Sequence, residues 1–181
     1  MSEEQTEAPV KKKTKTTRAK KTEVDVSSKK KTTNVKKEKV KTIALVGPVL
    51  GAETEKYFNE IADGRFNFVV AKGYDLTDGK MAIPTLTPEA ECKAGIQKIL
   101  NTARNSDLVL LFAGGDEFTS KEAFFNGALG DRDNIDPVSF QDELLLELKK
   151  LGKPVVVVYK HRRTLSINTF AEHADAIIDC W

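Results

Sequence analysis

The sequence has few cysteines, no long apolar run and no aromatic residue before Tyr57, and each shortage excludes a class of protein. Cys92 and Cys180 lie far apart, and no metal-ligand spacing joins them to His161 or His173, so we predict buried reduced thiols and no metal site. No apolar run approaches the ~18 residues of a membrane span. The N-terminus lacks the apolar region of a secretory signal, which favours a cytoplasmic location.

Charge is distributed unevenly along the chain. Of its 29 Lys and Arg and 27 Asp and Glu, residues 1–42 carry 14 and 6, which leaves 15 and 21 for the rest. The basic part has little to bury beyond a few valines, so burial cannot offset the entropy cost of ordering it. We therefore predict a disordered Lys-rich tail over residues 1–41 and one folded domain over residues 42–181.

Short apolar runs alternate with amphipathic stretches throughout the predicted domain. The apolar runs predict strands at 43–46, 66–70, 107–112, 154–159 and 174–178. Helical spacing predicts helices at 53–61, 88–100 and 139–151, and one turn at 170–173. We expect Thr87 to cap the second helix and Ser139 the third, with Asp142 completing a capping box. Strands that are apolar throughout indicate an α/β fold with a mostly parallel sheet and helices on both faces.

Loops at the carboxyl ends of the predicted strands are the expected place for a ligand in such a sheet. The loops lie at residues 47–54, 113–137 and 160–164. The second has about 25 residues, and structureless loops of that length in a compact domain are more often functional than not. The third is a basic cluster that could bind an anion or simply lie in solvent.

Seven fragments carry a resemblance to a known family. They are IALVGP at 43–48, AKG at 71–73, NSDLV at 105–109, DRDNI at 131–135, QDELL at 141–145, GKPVVVV at 152–158 and ADAIIDCW at 174–181. In this order and at about this spacing, they resemble the second domain of family 3 glycoside hydrolases, the β-glucosidases and β-xylosidases. The resemblance implies a six-stranded α/β sandwich packed on a TIM barrel. It also implies an active site between the two domains, with a nucleophilic Asp from the barrel and an acid/base Glu from a sandwich loop.

The resemblance also suggests individual site residues. Glu122, which Ala123 follows, is the candidate for a remnant of the acid/base residue, with Glu117 as the weaker candidate. Asp131, Arg132 and Arg163 are candidate substrate-binding residues, although the resemblance favours an ion-paired loop anchor for the Asp–Arg sequence.

The dipeptide Ser106-Asp107 resembles the one that carries the family nucleophile. Because it opens a buried strand, we predict a structural role for it.

The departures from the family decide the functional prediction. Retaining hydrolysis needs two carboxylates about 5–5.5 Å apart, and we expect the Lys-rich tail to stand where the family has its barrel, before Thr42. We predict a carbohydrate-related module that needs no cofactor and is not catalytic alone. One alternative is half of a split β-glycosidase, completed by a separate barrel chain. Another is a nucleic-acid-associated protein that binds through its Lys-rich tail. An exposed edge strand would also permit pairing with a second copy.

Overall fold

The computed structural model describes residues 39–80, 84–116, 119 and 134–180 of the chain. The strands are β1 (Lys41–Val46), β2 (Phe66–Ala71), β3 (Leu108–Gly114), β4 (Val155–Lys160) and β5 (Ala176–Cys180). They form one sheet in the order β2-β1-β3-β4-β5, and every neighbouring pair is parallel. The predicted α/β class is confirmed. Nearly all of the predicted tail lies outside the described residues.

Within the described ranges, four helices lie between the strands. They are α1 (Thr54–Ala62), α2 (Glu89–Ala103), α3 (Gln141–Lys149) and α4 (Asn168–His173). No helix among the described residues is both long enough and apolar enough to cross a membrane.

Alternate residues of each strand serve the two faces of the sheet. One face carries the larger core, where Val46, Val109 and Val157 pack with residues of α2, α3 and α4 such as Ile99 and Leu148. The other face carries a smaller core of these residues: Ile43, Leu45, Leu50, Phe58, Phe68, Val70, Leu108, Leu110 and Phe112. Helices therefore cover both faces, as the apolar strands predict.

Helix α1 buries less than its sequence suggests. Phe58 packs edge-on against Phe68 and Phe112, with ring centroids 5.5 and 6.3 Å apart. Tyr57 and Ile61 share that face of the helix in sequence, yet they stay 57% and 74% exposed. The helix is thus held on the sheet chiefly through one aromatic side chain.

Both predicted helix caps are wrong. Pro88 is the residue that precedes α2, and Thr87 donates its hydroxyl 2.5 Å to the carbonyl of Asp75. Phe140 precedes α3 with a left-handed backbone, and Ser139 donates its hydroxyl to the carbonyl of Leu76 at 3.2 Å. Each hydroxyl satisfies a carbonyl of the 74–87 segment, so contacts distant in sequence override the local capping preference.

Asp175 joins the end of α3 to the start of β4. Its carboxylate accepts from the Lys149 ammonium at 2.6 Å and from the Val155 backbone N–H at 2.7 Å. The hydrogen bond from Lys149, and then that from Val155, hold the pKa of Asp175 below its usual range. A carboxylate with a lowered folded-state pKa stabilises the fold above its unfolded pKa of about 3.9, and this contribution disappears as the pH falls through the folded value.

We therefore expect Asp175→Asn to unfold at a lower urea concentration than wild type at pH 7. The difference should begin to shrink below about pH 4 and disappear once the pH has passed the lowered folded-state pKa, where the wild-type carboxyl is neutral as well. Urea denaturation at pH 7, 5, 4 and 3 measures it. Glu60→Gln, on the exposed side of α1, is the control and should show no such pH-dependent difference. A deficit for Asp175→Asn of equal size at every pH would contradict this account.

Candidate functional site

The carboxyl ends of β1 and β3 are the point where the order of the sheet reverses. The chain leaves β1 toward β2 in one direction and leaves β3 toward β4 in the other. Crevices at such a switch point are the usual ligand sites of open parallel sheets. The candidate site is therefore built at this edge.

Glycines end both strands at the switch point. Gly47 has φ +124° and Gly114 has φ +123°. A Cβ atom built on Gly47 would lie 2.2 Å from the Phe112 carbonyl oxygen, and one on Gly114 would lie 1.9 Å from that of Lys160. Each strand thus ends where its backbone crosses close to the neighbouring strand, which only glycine permits.

An open cleft of about 1040 Å³ lies at this edge. Its walls come from the segments after β1, β2 and β3, from the 74–87 segment and from the first turns of α2. The charged lining residues carry both signs: Lys72, Asp75, Asp78, Glu91, Lys98 and Asp116. Lys72 forms an ion pair with Asp75. The mixed charge suits a neutral polar ligand that accepts and donates hydrogen bonds, or the polar rim of a partner.

One lip of the cleft is held by the carboxylate of Asp78. It accepts from the backbone N–H groups of Lys80 and Thr85 at 3.2 and 3.1 Å and from the Thr85 hydroxyl at 3.0 Å. Lys80 also contributes its ammonium at 2.8 Å. The bond with the Lys80 side chain is the largest reason why the pKa of Asp78 lies well below its usual range. The Asp78 carboxylate thus forms its hydrogen bonds within its own loop, with Lys80 and Thr85.

Tyr74 fixes the same segment to the rest of the fold. Its hydroxyl donates to the Ser139 carbonyl at 2.7 Å, and burial raises the pKa of the phenol. Beside it, Gly73 and Gly95 let the segment and α2 touch backbone to backbone, since a Cβ on Gly95 would lie 2.9 Å from the Gly73 carbonyl. The floor of the cleft is therefore closely packed against α2 and the start of α3.

Gln141 supports the candidate site, and the sequence analysis did not single it out. It is fully buried, and its side-chain amide forms a pair of 2.7 Å hydrogen bonds with the N–H and carbonyl of Gly114. A third bond reaches the Val138 carbonyl at 2.9 Å. The available signal was its position, three residues before Leu144 on the apolar face of α3, where a polar residue needs a buried partner. Gln141 fastens α3 to the end of β3, where the long loop begins.

Both ends of the long loop are anchored beside the loop that follows β4. At the first end, Asp116 and Thr119 bond each other reciprocally through backbone and side chain, each at 3.0 Å. The adjacent Gly115 donates its N–H to the Lys160 carbonyl at 2.9 Å. At the other end, the Ile135 carbonyl accepts from the Ser166 N–H at 2.8 Å. The described residues on either side of 117–133 are therefore both bonded to the segment from Lys160 to Ser166.

The structure describes only one of the predicted site residues. Glu122, Glu117, Asp131 and Arg132 lie outside the described residues. Arg163 is exposed in the loop after β4, and its carbonyl contacts the His161 ring. The structure thus places Arg163 at the edge where the segment holding the other four begins and ends.

The Ser106-Asp107 dipeptide has the structural role predicted for it. Ser106 is buried and donates its hydroxyl to the Ala103 carbonyl at 2.8 Å. The Asp107 carboxylate accepts from the Thr42 N–H at 2.8 Å. This hydrogen bond is the main reason why the pKa of Asp107 is lowered. Within the described part of the chain, no cluster of His, Cys, Asp or Glu could hold a metal ion.

Comparison with protein families gives a match over most of the chain. Residues 12–181 match the model of the glycosyl hydrolase family 3 C-terminal domain. A putative β-xylosidase from Formosa agariphila is 55% identical over 143 residues, which are 79% of this chain and 19% of that protein. A periplasmic β-glucosidase from Salmonella typhimurium is 28% identical over 131 residues, which are 68% of this chain and 16% of that protein. The chain thus spans about a fifth of the length of these relatives.

Solved structures agree with the fold. A β-glucosidase from Erythrobacter marinus has a TM-score of 0.67 and 30% identity, covering 77% of this chain and 22% of that one. A β-glucosidase from Listeria innocua has a TM-score of 0.55 at 23% identity, covering 78% of this chain and 19% of that one. The second likeness speaks for the fold alone.

Proposed function

Because the chain belongs to the family of glycosyl hydrolase family 3 C-terminal domains, we propose that it forms one wall of a β-glycosidase active site and is not catalytic by itself. The other wall, with the nucleophile, comes from a separate domain or chain. The substrate class is a β-xyloside or β-glucoside, as suggested by the names of the relatives.

The observation that supports this proposal is that Arg163 and the described residues on either side of residues 117–133 lie at one edge of the sheet. Gly115 bonds to Lys160, the last residue of β4, and Ile135 bonds to Ser166 in the segment that follows this strand. Arg163 lies in that same loop after β4. Glu122 lies between these two anchors in the sequence, and this edge is where an acid/base residue would have to be presented to another domain.

The retaining mechanism is the reason for proposing a second wall. A retaining glycosidase needs a nucleophilic carboxylate and an acid/base carboxyl about 5–5.5 Å apart, on opposite sides of the scissile bond. Of the carboxylates that line the cleft, Asp78 closes its own loop, Asp75 pairs with Lys72, and Asp116 accepts from the Thr119 N–H. These contacts support taking the nucleophile from the other wall. A general acid also needs partial burial to raise its pKa, which a facing domain would supply.

The test is complementation with a relative. The Formosa agariphila protein, expressed without the 143 residues that match, supplies the missing parts. We expect no hydrolysis of aryl β-xylosides or β-glucosides by either component alone and hydrolysis by the mixture. An enzymatic rate from the purified chain alone would overturn the proposal, and so would an inactive mixture in which the two components demonstrably bind.

Glu122→Gln tests the acid/base assignment in that mixture. Loss of a general acid should slow the hydrolysis of a glycoside with a poor leaving group, such as an alkyl glycoside, by about 10²–10⁴-fold. A dinitrophenyl glycoside needs little protonation of its leaving group, so its first step should be nearly unaffected. Glu117→Gln is the matched control and should act as wild type. If Glu117→Gln shows the selective loss and Glu122→Gln does not, the assignment moves to Glu117.

The relatives named above are glycosidases, so they lend no support to the nucleic-acid alternative. That alternative depends on the Lys-rich tail, most of which lies outside the described residues, and stays a prediction.

A further inference from the structure

One face of the sheet is only partly covered by helices. Residues of α2, α3 and α4 pack on one face, and α1 packs on the other through Phe58. Phe58 contacts Phe68 on β2 and Phe112 on β3, so α1 lies over that half of the sheet. On this face, no described helix lies over β4 and β5, at the far end of the strand order.

Apolar side chains of β4 and β5 point into this uncovered area. In the parallel register, Phe112 pairs with Val158, and Val158 pairs with Ile178. Paired residues of neighbouring strands share a face, and Phe112 contacts α1, so Val158 and Ile178 lie on the α1 face. Val156 lies two residues before Val158 and shares that face. Among the described residues, neither core includes these three, and Ile178 is 51% exposed.

Helix α1 forms an apolar wall beside this area. Each helical residue is rotated by about 100° from the one before it, so Glu55 lies on one side of Phe58, and Tyr57 and Ile61 lie on the other. Glu55 lines a small cavity with Val70 of β2, which places its side of the helix toward that strand. Tyr57 and Ile61 therefore face β4, and they are 57% and 74% exposed. The surface called the apolar step consists of Tyr57, Ile61, Val156, Val158 and Ile178.

The apolar step is large enough to hold two copies of the chain together. A large apolar side chain buries on the order of 150 Å², and three members of the step are more than half exposed. Exposed apolar patches of a few hundred Å² mark interaction sites. With its polar rim, the step of two copies would bury about 1,000 Å² in total, which is the lower bound for a specific interface.

We propose that a second copy of this chain covers the apolar step and forms a dimer with two-fold symmetry. The helix α1 is a ridge beside the flat strands β4 and β5, and such a shape is complementary to its own copy when the two-fold axis runs along the strands. Strands β4 and β5 of the two copies then stack about 10 Å apart. Each α1 lies beside the β5 edge of the other copy, which also covers an unpaired edge strand. This inference goes beyond the proposed function and does not depend on it.

Charge favours a second copy over the Lys-rich tail as the occupant of the step. The floor of the step is apolar, and Lys160 is the charged residue at its carboxyl end. An ammonium group of the tail buried on this floor would lose its hydration and find no carboxylate there. In the dimer, apolar side chains meet apolar side chains. Lys160 is exposed and keeps its ammonium in water at the rim.

The experiment is sedimentation velocity on the full chain from about 1 to 200 µM, with circular dichroism to check folding. Wild type should pass from monomer to dimer with a dissociation constant on the order of 10 µM, as suits a small interface. Ile178→Lys should weaken the dimer by about 100-fold, because both copies lose a central apolar side chain. Ile61→Lys changes an exposed helical residue, which leaves the fold intact, and should weaken the dimer by about 10-fold.

Leu146→Lys is the matched control. Leu146 is 38% exposed on α3, a helix of the opposite face, and the variant should dimerise as wild type does. A wild-type chain that stays monomeric at the highest concentration would overturn the dimer. Self-association that Ile61→Lys leaves unchanged would do the same, because pairing through the β5 edge alone gives that result.

Equal weakening by Leu146→Lys and Ile61→Lys would show non-specific association and would also contradict the dimer. None of these measurements uses a glycoside. Failure of the complementation assay therefore leaves the dimer standing, and a monomeric chain leaves the proposed function standing.

Discussion

Replacing Gly114 by alanine is expected to lower the free energy of unfolding by about 4 kcal/mol, or to prevent folding. The new Cβ would lie 1.9 Å from the Lys160 carbonyl oxygen and 2.8 Å from its carbon. Both are backbone atoms of β4, so no side chain can move aside and the two central strands must separate. The residue would also have to adopt φ +123°. Urea denaturation followed by circular dichroism measures the loss.

Gly152→Ala is the matched control for that change. Gly152 also has a positive φ, +66°, but nothing lies within 4 Å of the position of its missing Cβ. It should lose only the cost of a left-handed backbone, about 1–2 kcal/mol. Equal losses in the two variants would mean that the close approach of β3 to β4 contributes nothing, and that the switch-point edge tolerates a wider strand separation.

The second large effect is expected from Gln141→Leu, which should lower the free energy of unfolding by roughly 3 kcal/mol. Leucine keeps a comparable side-chain volume inside the core but forms none of the three hydrogen bonds to Gly114 and Val138. The N–H and carbonyl of Gly114 then lie buried without this partner. Leaving a buried polar group unpaired destabilises the fold by more than a solvent-exposed hydrogen bond stabilises it. Urea denaturation gives the magnitude.

A second readout separates this effect from general loosening. Because Gln141 fastens α3 to the residue where the long loop begins, limited proteolysis within residues 117–133 should speed up in native conditions. Gln97→Leu, on the exposed side of α2, makes the same chemical change without a buried partner and should change neither measurement. A loss for Gln141→Leu no larger than for Gln97→Leu would show that the buried amide pair does not stabilise this edge.

The sequence predicted the strands and the fold class because their signal is repeated and local. Runs such as 108–112 and 155–158 are apolar at every position, which only a sheet covered on both faces satisfies. The structure has them as neighbouring parallel strands. Boundaries shifted by one or two residues, and β5 begins at Ala176 where the sequence suggested residue 174.

The helix caps could not be predicted in the same way. Thr87 and Ser139 are good N-cap residues by type, yet their hydroxyls bond the carbonyls of Asp75 and Leu76. These partners become neighbours only when the 74–87 segment folds across the ends of α2 and α3. The same holds for Tyr57 and Ile61, whose spacing is helical but whose exposure depends on where α1 rests on the sheet.

The sequence by itself determined the α/β class, the location of the loops at the carboxyl edge and, through the order of its fragments, the family. These depend on apolar periodicity and on residue order, which are properties of the chain. Only the tertiary structure decided that Gln141 holds the end of β3 and that the His161 ring lies between two acceptors. Gln141 and Gly114 are 27 residues apart in the sequence, and His161 and Asp179 are 18 apart. The Arg163 carbonyl reaches the His161 ring across a turn. A hydrogen bond depends on a distance of about 3 Å and on direction, which no spacing along the chain specifies.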